Sequence, residues 1–261
     1  ASPTISALGN WLEHLIAEST GKDGRGLLPV VGATVGRPHD FATDRVFVYL
    51  RVDDDENGEL DVGMATLQGA GQPVVTLKLE DAWQIGGEFF RWSFATAVAG
   101  KLLKINPFDE PNETESKQMT AQLLEGYIRD GHWPAQPTLA SAGDVRLIAG
   151  ERNARLLREQ AHHHGFNPES VVELLAALVN GTGAGDYIAL LAFVPLTETH
   201  HAALEELRRR IRHVSRRAVM LGYGPGYLHS AGQFHKGGPD NGVFLQIAWD
   251  DPVHLPIPGR P

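Results

Sequence analysis

Two kinds of apolar pattern alternate along this chain, and that alternation restricts the fold more than any other feature of the sequence. Short runs dense in β-branched and aromatic residues, DRVFVYLRV (44–52), PVVTLKL (73–79) and DYIALLAFV (186–194), read as buried strands. Around them, apolar residues recur at helical spacing. Leu8, Trp11, Leu12, Leu15 and Ile16 mark a helix over 5–18, a short helix covers 59–69, and residues 86–103, apolar on most faces, read as a largely buried helix. Leu204, Leu207, Ile211, Val214, Ala218 and Leu221 lay one stripe along a long helix over 198–222. Strand, helix, strand, helix is the order of a parallel sheet with helices on its faces, so the expected class is α/β.

Residues 131–147, with Pro134 and Pro137, read as a low-order connection between a sub-domain at 1–130 and a second α/β sub-domain at 148–261. The second begins with helices over about 150–164 and 168–180, the latter introduced by Asn167-Pro168. Further strands are expected at 227–230 and 243–249, around the glycine-rich loop AGQFHKGGPDNG. A packing helix should follow the last strand. The ending IPGRP and the start at Ala1 therefore read as those of a fragment, truncated at its C-terminus.

Composition removes several classes of function. There is no cysteine, which excludes disulfides, thiolate zinc sites, iron–sulfur ligation and a cysteine nucleophile. Acidic residues outnumber basic ones, 32 to 23, and the net charge of −9 argues against a nucleic-acid surface. No run of 18 apolar residues is present, so no helical membrane span is expected. The N-terminus lacks a basic segment and an uninterrupted apolar core, so it is no signal peptide, and a cytoplasmic location is expected.

Three patterns fail as motifs. Gly181, Gly183 and Gly185 precede a strand, whereas a dinucleotide loop follows one. His162, His163 and His164 are consecutive on a helix and point about 100° apart, so they cannot converge on one ion. Arg208, Arg209, Arg210, Arg212, Arg216 and Arg217 read as a solvated face balanced by Glu205 and Glu206.

Four stretches are more specific: ESTGK (18–22), GGEFFRWSFATAVAG (86–100), INPFDEPNETESK (105–117) and GYLHSAGQFHKGGPDNGVFLQI (226–247). Together they resemble the C-terminal part of the phosphoglucose isomerase module of bifunctional transaldolase/glucose-6-phosphate isomerases, over about residues 8–258. The resemblance implies a sugar isomerase (SIS) type fold and interconversion of glucose 6-phosphate and fructose 6-phosphate through an enediol, with no cofactor and no metal. It implies a sugar-phosphate substrate, and as partner the remainder of a parent chain or a second subunit. It carries catalytic roles to Lys117, His229 and His235, and substrate contacts to Glu110, Gln233 and Lys236.

The sequence departs from that pattern in several places. Glu110 stands where the family has glutamine, and a carboxylate only accepts where an amide can also donate. Gly226, Ala231 and Ser93 replace arginine, threonine and glutamate. Leu28-Pro29-Val30 is followed by Val31-Gly32-Ala33-Thr34, without the family's acidic segment, so the base is unassigned. Glu18 and Glu88 are the remaining glutamates in family-like stretches, and Glu18 reads as bonding its own glycine loop. A strand–loop–helix phosphate site is also missing. The alternative reading is therefore a non-catalytic sugar-phosphate-binding or structural half-module.

Overall fold

In the computed structural model, which describes residues 1–250 and Pro258, the expected alternation becomes an α/β architecture with two parallel sheets. The C-terminal IPGRP, Pro258 aside, lies outside the described residues. Helix α1 (Leu8–Thr20) leads into a long segment whose regular structure is a short 3-10 turn at Pro38–Asp40. Strands β1 (Phe47–Val52) and β2 (Val74–Leu79) then pair in parallel, from Phe47 opposite Val74 to Val52 opposite Leu79. Parallel neighbours need a crossover, here α2 (Gly58–Gly69). Helix α3 (Ile85–Leu103) packs on α1, with Trp11 and Phe89 edge to face at 4.7 Å, but it is not the largely buried helix expected: only one face meets α1, and Phe90, Phe94 and Leu102 are exposed. Helix α4 (Pro111–Asp130) starts on a first-turn proline and ends at Gly131 in the left-handed region.

Residues 138–148 correct the expected low-order connection. Strands β3 (Thr138–Ala142) and β4 (Val145–Ile148) form an antiparallel hairpin. Leu139 and Ala140 share a core with Leu157 and Ala161 of α5 (Glu151–His163) and with Leu174 and Ala177 of α6 (Val171–Asn180). The cap of α6 is Ser170, whose hydroxyl accepts the Glu173 amide, so the helix starts later than Asn167-Pro168 implied.

The second sheet has the order β6-β5-β7, with β5 (Tyr187–Phe193) parallel to both β6 (Ala218–Tyr223) and β7 (Gly242–Ala248). Its crossover α7 (Glu198–Ser215) stops seven residues short of the expected end at 222, because Arg216 turns left-handed at φ 61° and the chain becomes β6. Ala218 and Leu221 continue the helical stripe by coincidence of phase, and a short apolar run fits either period. In place of the strand expected at 227–230, residues Gly226–His229 form a 3-10 turn. The glycine-rich loop contains the short helix α8 (Gly232–Gly237).

Alternate residues of β5 face two cores. Tyr187, Ala189 and Leu191 pack with Ala17, Met220, Ala231 and Phe234, whereas Ile188 and Leu190 pack with Ile211 and Val219. Helix α1 serves both sheets. Leu8 and Leu12 lie against Leu50, Val52 and Leu79, and Ala17 lies against the β5 layer. Polar side chains of α1 are thereby placed between the two sheets.

The arginine-rich face is also corrected. Arg208 and Arg212 are buried, not solvated. Arg208 donates to the carbonyls of Val219 and Val31, and Arg212 to that of Thr34. These two guanidiniums hold the irregular 27–46 segment against α7, where five N–H donors each can satisfy backbone oxygens that no sheet or helix uses.

Candidate functional site

Three of the four specific stretches, far apart in sequence, meet at the C-terminal end of α1. The first is ESTGK. Its last turn ends at Gly21, where an added Cβ would come within 2.2 Å of the Phe234 Cα, so only glycine allows α1 and α8 to approach this closely. Lys22 is buried and ties this corner to the second stretch by binding both the backbone carbonyl and the carboxylate of Asp109.

Gln233 joins all three. Its Nε2 donates to the carbonyl of Gly21 and to Oδ1 of Asn112, each at 2.8 Å. The Gly24 amide donates to the carbonyl of Gly237 at 2.9 Å. A Cβ on Gly237 would lie 2.2 Å from Asn112 Oδ1, which again demands glycine. Lys236 Nζ pairs with Glu113 Oε1 at 2.6 Å, and the Glu113 side chain is 9% exposed.

Glu18, on the last turn of α1, and Glu110, just before α4, are near enough for Glu110 to disfavour the ionised form of Glu18. Burial, together with the Glu110 carboxyl, pushes Glu18 above the usual carboxylate range, while His14 pulls in the opposite direction. His14 Nε2 is in direct contact with the Glu18 carboxylate, one helical turn away. Glu18 is thus a titratable group held between an imidazole and a second carboxyl group.

His14 also lines a cleft of about 680 Å³ between α1 and the C-terminal ends of the β5 layer, together with Glu13, Arg208, Tyr223, Tyr227 and Ser230. Burial raises Glu13 as well, with Arg208 and the Ser230 hydroxyl opposing the shift. Open α/β sheets take their ligands outside the carboxyl ends of the strands, which is where this cleft opens.

The six residues selected from sequence occupy different places. Gln233 is a buried tie, Lys236 is a partly exposed residue of α8 whose ammonium pairs with Glu113, and Glu110 acts on the Glu18 carboxyl. Lys117 is exposed on α4, one turn beyond the buried Glu113. His229 is exposed at the end of the 3-10 turn, between Gly226 and Ser230, which line the cleft. His235 is packed inward. Its Nδ1 lies 2.8 Å from the Tyr187 hydroxyl, and its ring meets Phe244 edge to face. Burial, reinforced by Lys236, lowers its pKa to about 4, so it is a neutral core imidazole at neutral pH. Sequence reasoning passed over His14 and undervalued Glu18. The signal available was their i, i+4 spacing on α1, the separation at which helical side chains touch. The fourth stretch, in α3, supports the site indirectly by packing against α1.

The chain is 30% identical over 152 residues to a glucose-6-phosphate isomerase of Rubrobacter xylanophilus, the match covering 44% of the chain and 35% of that protein. It is 25% identical over 158 residues to that of Symbiobacterium thermophilum and 26% identical over 166 residues to that of Streptococcus pyogenes, covering 47% of the chain and 35% of the relative in both cases. The matches span about a third of the length of these relatives. No family model matches the chain. No solved structure matches it.

Proposed function

We propose that this chain is part of a glucose-6-phosphate isomerase, interconverting glucose 6-phosphate and fructose 6-phosphate through an enediol, in a parent protein of the transaldolase-fusion kind. The observation that carries this reading is the convergence of ESTGK, NPFDEPNE and GQFHKGG on one junction through Gln233, Gly21 and Asn112. Similarity to relatives bearing that name supports it.

In this reading Glu18 is the base. A proton-transfer base works best with a pKa near the operating pH, and Glu18 is raised towards it by burial and by Glu110. It takes the proton from C2 of the open-chain aldose as the C1 carbonyl electron pair moves onto O1; the O2 hydroxyl proton passes to O1, and Glu18 returns its own proton to C1 as O2 becomes the carbonyl oxygen. Lys117 supplies positive charge for the enediolate and the exposed His229 assists ring opening. His235, neutral and packed against Tyr187, positions the 229–236 segment.

The test is a coupled assay of fructose 6-phosphate isomerisation. The parent protein is expected to turn over, and the 261-residue chain alone to do so very weakly or not at all. In the active form Glu18→Gln should lower kcat by about 10²–10⁴-fold, the usual worth of general acid–base catalysis. Full turnover by Glu18→Gln would overturn the assignment of the base. Fructose 6-phosphate binding without turnover in any form would favour the half-module reading.

A further inference from the structure

The strongest unassigned cluster lies away from this junction, where the irregular 27–46 segment meets α7. His39 and Asp40 close the 3-10 turn Pro38–Asp40, and His213 sits in the last turn of α7. His213 Nδ1 is 2.7 Å from Asp40 Oδ1, and His39 Nε2 is 3.4 Å from the same oxygen. The two imidazoles meet at a ring separation of 5.6 Å. All three ligand-type atoms lie within 4.8 Å of one another, and this is the only such group of three among the described residues.

We propose that His39, Asp40 and His213 bind a divalent transition-metal ion of the zinc type, which staples the 27–46 segment to α7. Two neutral imidazoles and one carboxylate form a donor set that suits zinc, with water completing the tetrahedron, and that suits magnesium or calcium poorly. Ligand atoms at about 2.0–2.1 Å from a tetrahedral ion stand roughly 3.3 Å apart. The His39–Asp40 separation already has that value, and the His213–Asp40 separation must open by about half an ångström. Both histidine side chains are more than half exposed and free to make that adjustment, whereas Asp40 is 11% exposed. The second oxygen of Asp40 accepts the Arg37 amide at 2.9 Å, which orients the carboxylate as an outer-shell partner does.

Arg212 and Arg209 both feel the charge of Asp40 and oppose a cation there. Affinity is therefore expected in the micromolar range and not tighter. His162, His163 and His164 are a separate source of weak binding and must be removed from the measurement.

The experiment is calorimetric titration of zinc into the 261-residue chain carrying His162→Gln, His163→Gln and His164→Gln. One equivalent should bind, with thermal stabilisation, and cobalt should give visible d–d absorption of tetrahedral strength. Magnesium should do neither. Adding His39→Gln or His213→Gln should weaken zinc binding at least tenfold and remove the cobalt spectrum. Because these side chains are exposed, the fold should survive, as far-UV circular dichroism would verify. Unchanged zinc affinity in the His39→Gln/His213→Gln double variant, or no binding before those changes, would overturn the proposal.

Discussion

The ammonium of Lys236 stands 2.6 Å from the carboxylate of Glu113, in the first turn of the helix that carries Lys117. A family-like lysine of α8 is thereby committed to an ion pair that joins α8 to α4, whereas Lys117 is exposed on the next turn of α4. The two lysines should separate cleanly on mutation. Lys236→Met leaves a largely buried carboxylate without its partner and should cost about 1–3 kcal/mol in urea unfolding. Lys117→Ala should change stability by less than about 0.5 kcal/mol, as exposed substitutions do, and act on turnover in the active parent protein. A stability loss from Lys117→Ala equal to that of Lys236→Met would contradict this division of roles.

Gln233 is expected to be the most sensitive tie in the junction. Gln233→Leu preserves volume but removes the donor to Gly21 and Asn112, leaving two acceptors with one fewer partner each. A loss of about 2–3 kcal/mol is expected. Gly237→Ala should be similarly costly, because its Cβ would collide with Asn112 and Gln233. Chemical denaturation of both variants checks this. Wild-type midpoints would mean that the junction is not held as described.

The parts of the fold written in strong periodicity were legible. The β1, β2, β5 and β7 runs and the α3 helix lie where the apolar pattern puts them, although β2 is largely exposed and the α7 stripe runs past the end of its helix into β6. The hairpin at 138–148 was not, because its strands are short, rich in alanine and serine, and turn on Gly143 in the left-handed region. Strand β6 was hidden because Ala218 and Leu221 stay in phase with the preceding helix. In the site, glycine-rich motifs pointed to the right stretches but not to what each residue does. His235 and Lys236 look equally catalytic in one dimension, and only the structure shows that His235 is engaged by Tyr187 and Lys236 by Glu113. Arg208 and Arg212 looked solvated because the sequence does not reveal that a loop 180 residues earlier needs their donors.

Arg212→Met should loosen that loop selectively. Its guanidinium donates to the Thr34 carbonyl and stacks over the Phe41 ring at 5.0 Å. Amide exchange over residues 31–41 should rise by an order of magnitude or more, with the β5 layer unchanged. Uniform acceleration throughout would indicate global destabilisation instead.

The carboxyl pair makes a prediction that does not depend on turnover. Replacing Glu110 by glutamine keeps a hydrogen-bond donor beside Glu18 but removes both the like charge and the competing acid. Both effects of Glu110 raise Glu18, so Glu110→Gln should move the Glu18 titration downwards, leaving burial as the remaining upward cause. Carboxyl-carbon NMR across pH 3–8 measures this directly. An unmoved Glu18 midpoint would show that the two groups do not interact. In an active parent protein the acid limb of the rate profile should move the same way.

Stability towards acid should carry the signature of His235. Its ordinary pKa is near 6.5, and burial, with Lys236 beside it, brings the folded value to about 4. In the unfolded chain the imidazole therefore takes up its proton earlier as pH falls. Above pH 6.5 both states are neutral and the full stability is present. Between about 6.5 and 4 the unfolded state binds more protons, so stability falls through that window and levels off once both states are charged. A depression of this size corresponds to on the order of 2–3 kcal/mol. His235→Phe removes the proton site and keeps a ring against Phe244. It also leaves the Tyr187 hydroxyl without its imidazole partner, a cost that does not vary with pH in this range. The variant should be less stable than wild type at pH 7 and lose less between pH 6.5 and 4, so that the two curves converge on acidification. Urea unfolding at half-unit pH steps gives both curves. Parallel curves across the window would show that His235 titrates normally and is not the buried imidazole described.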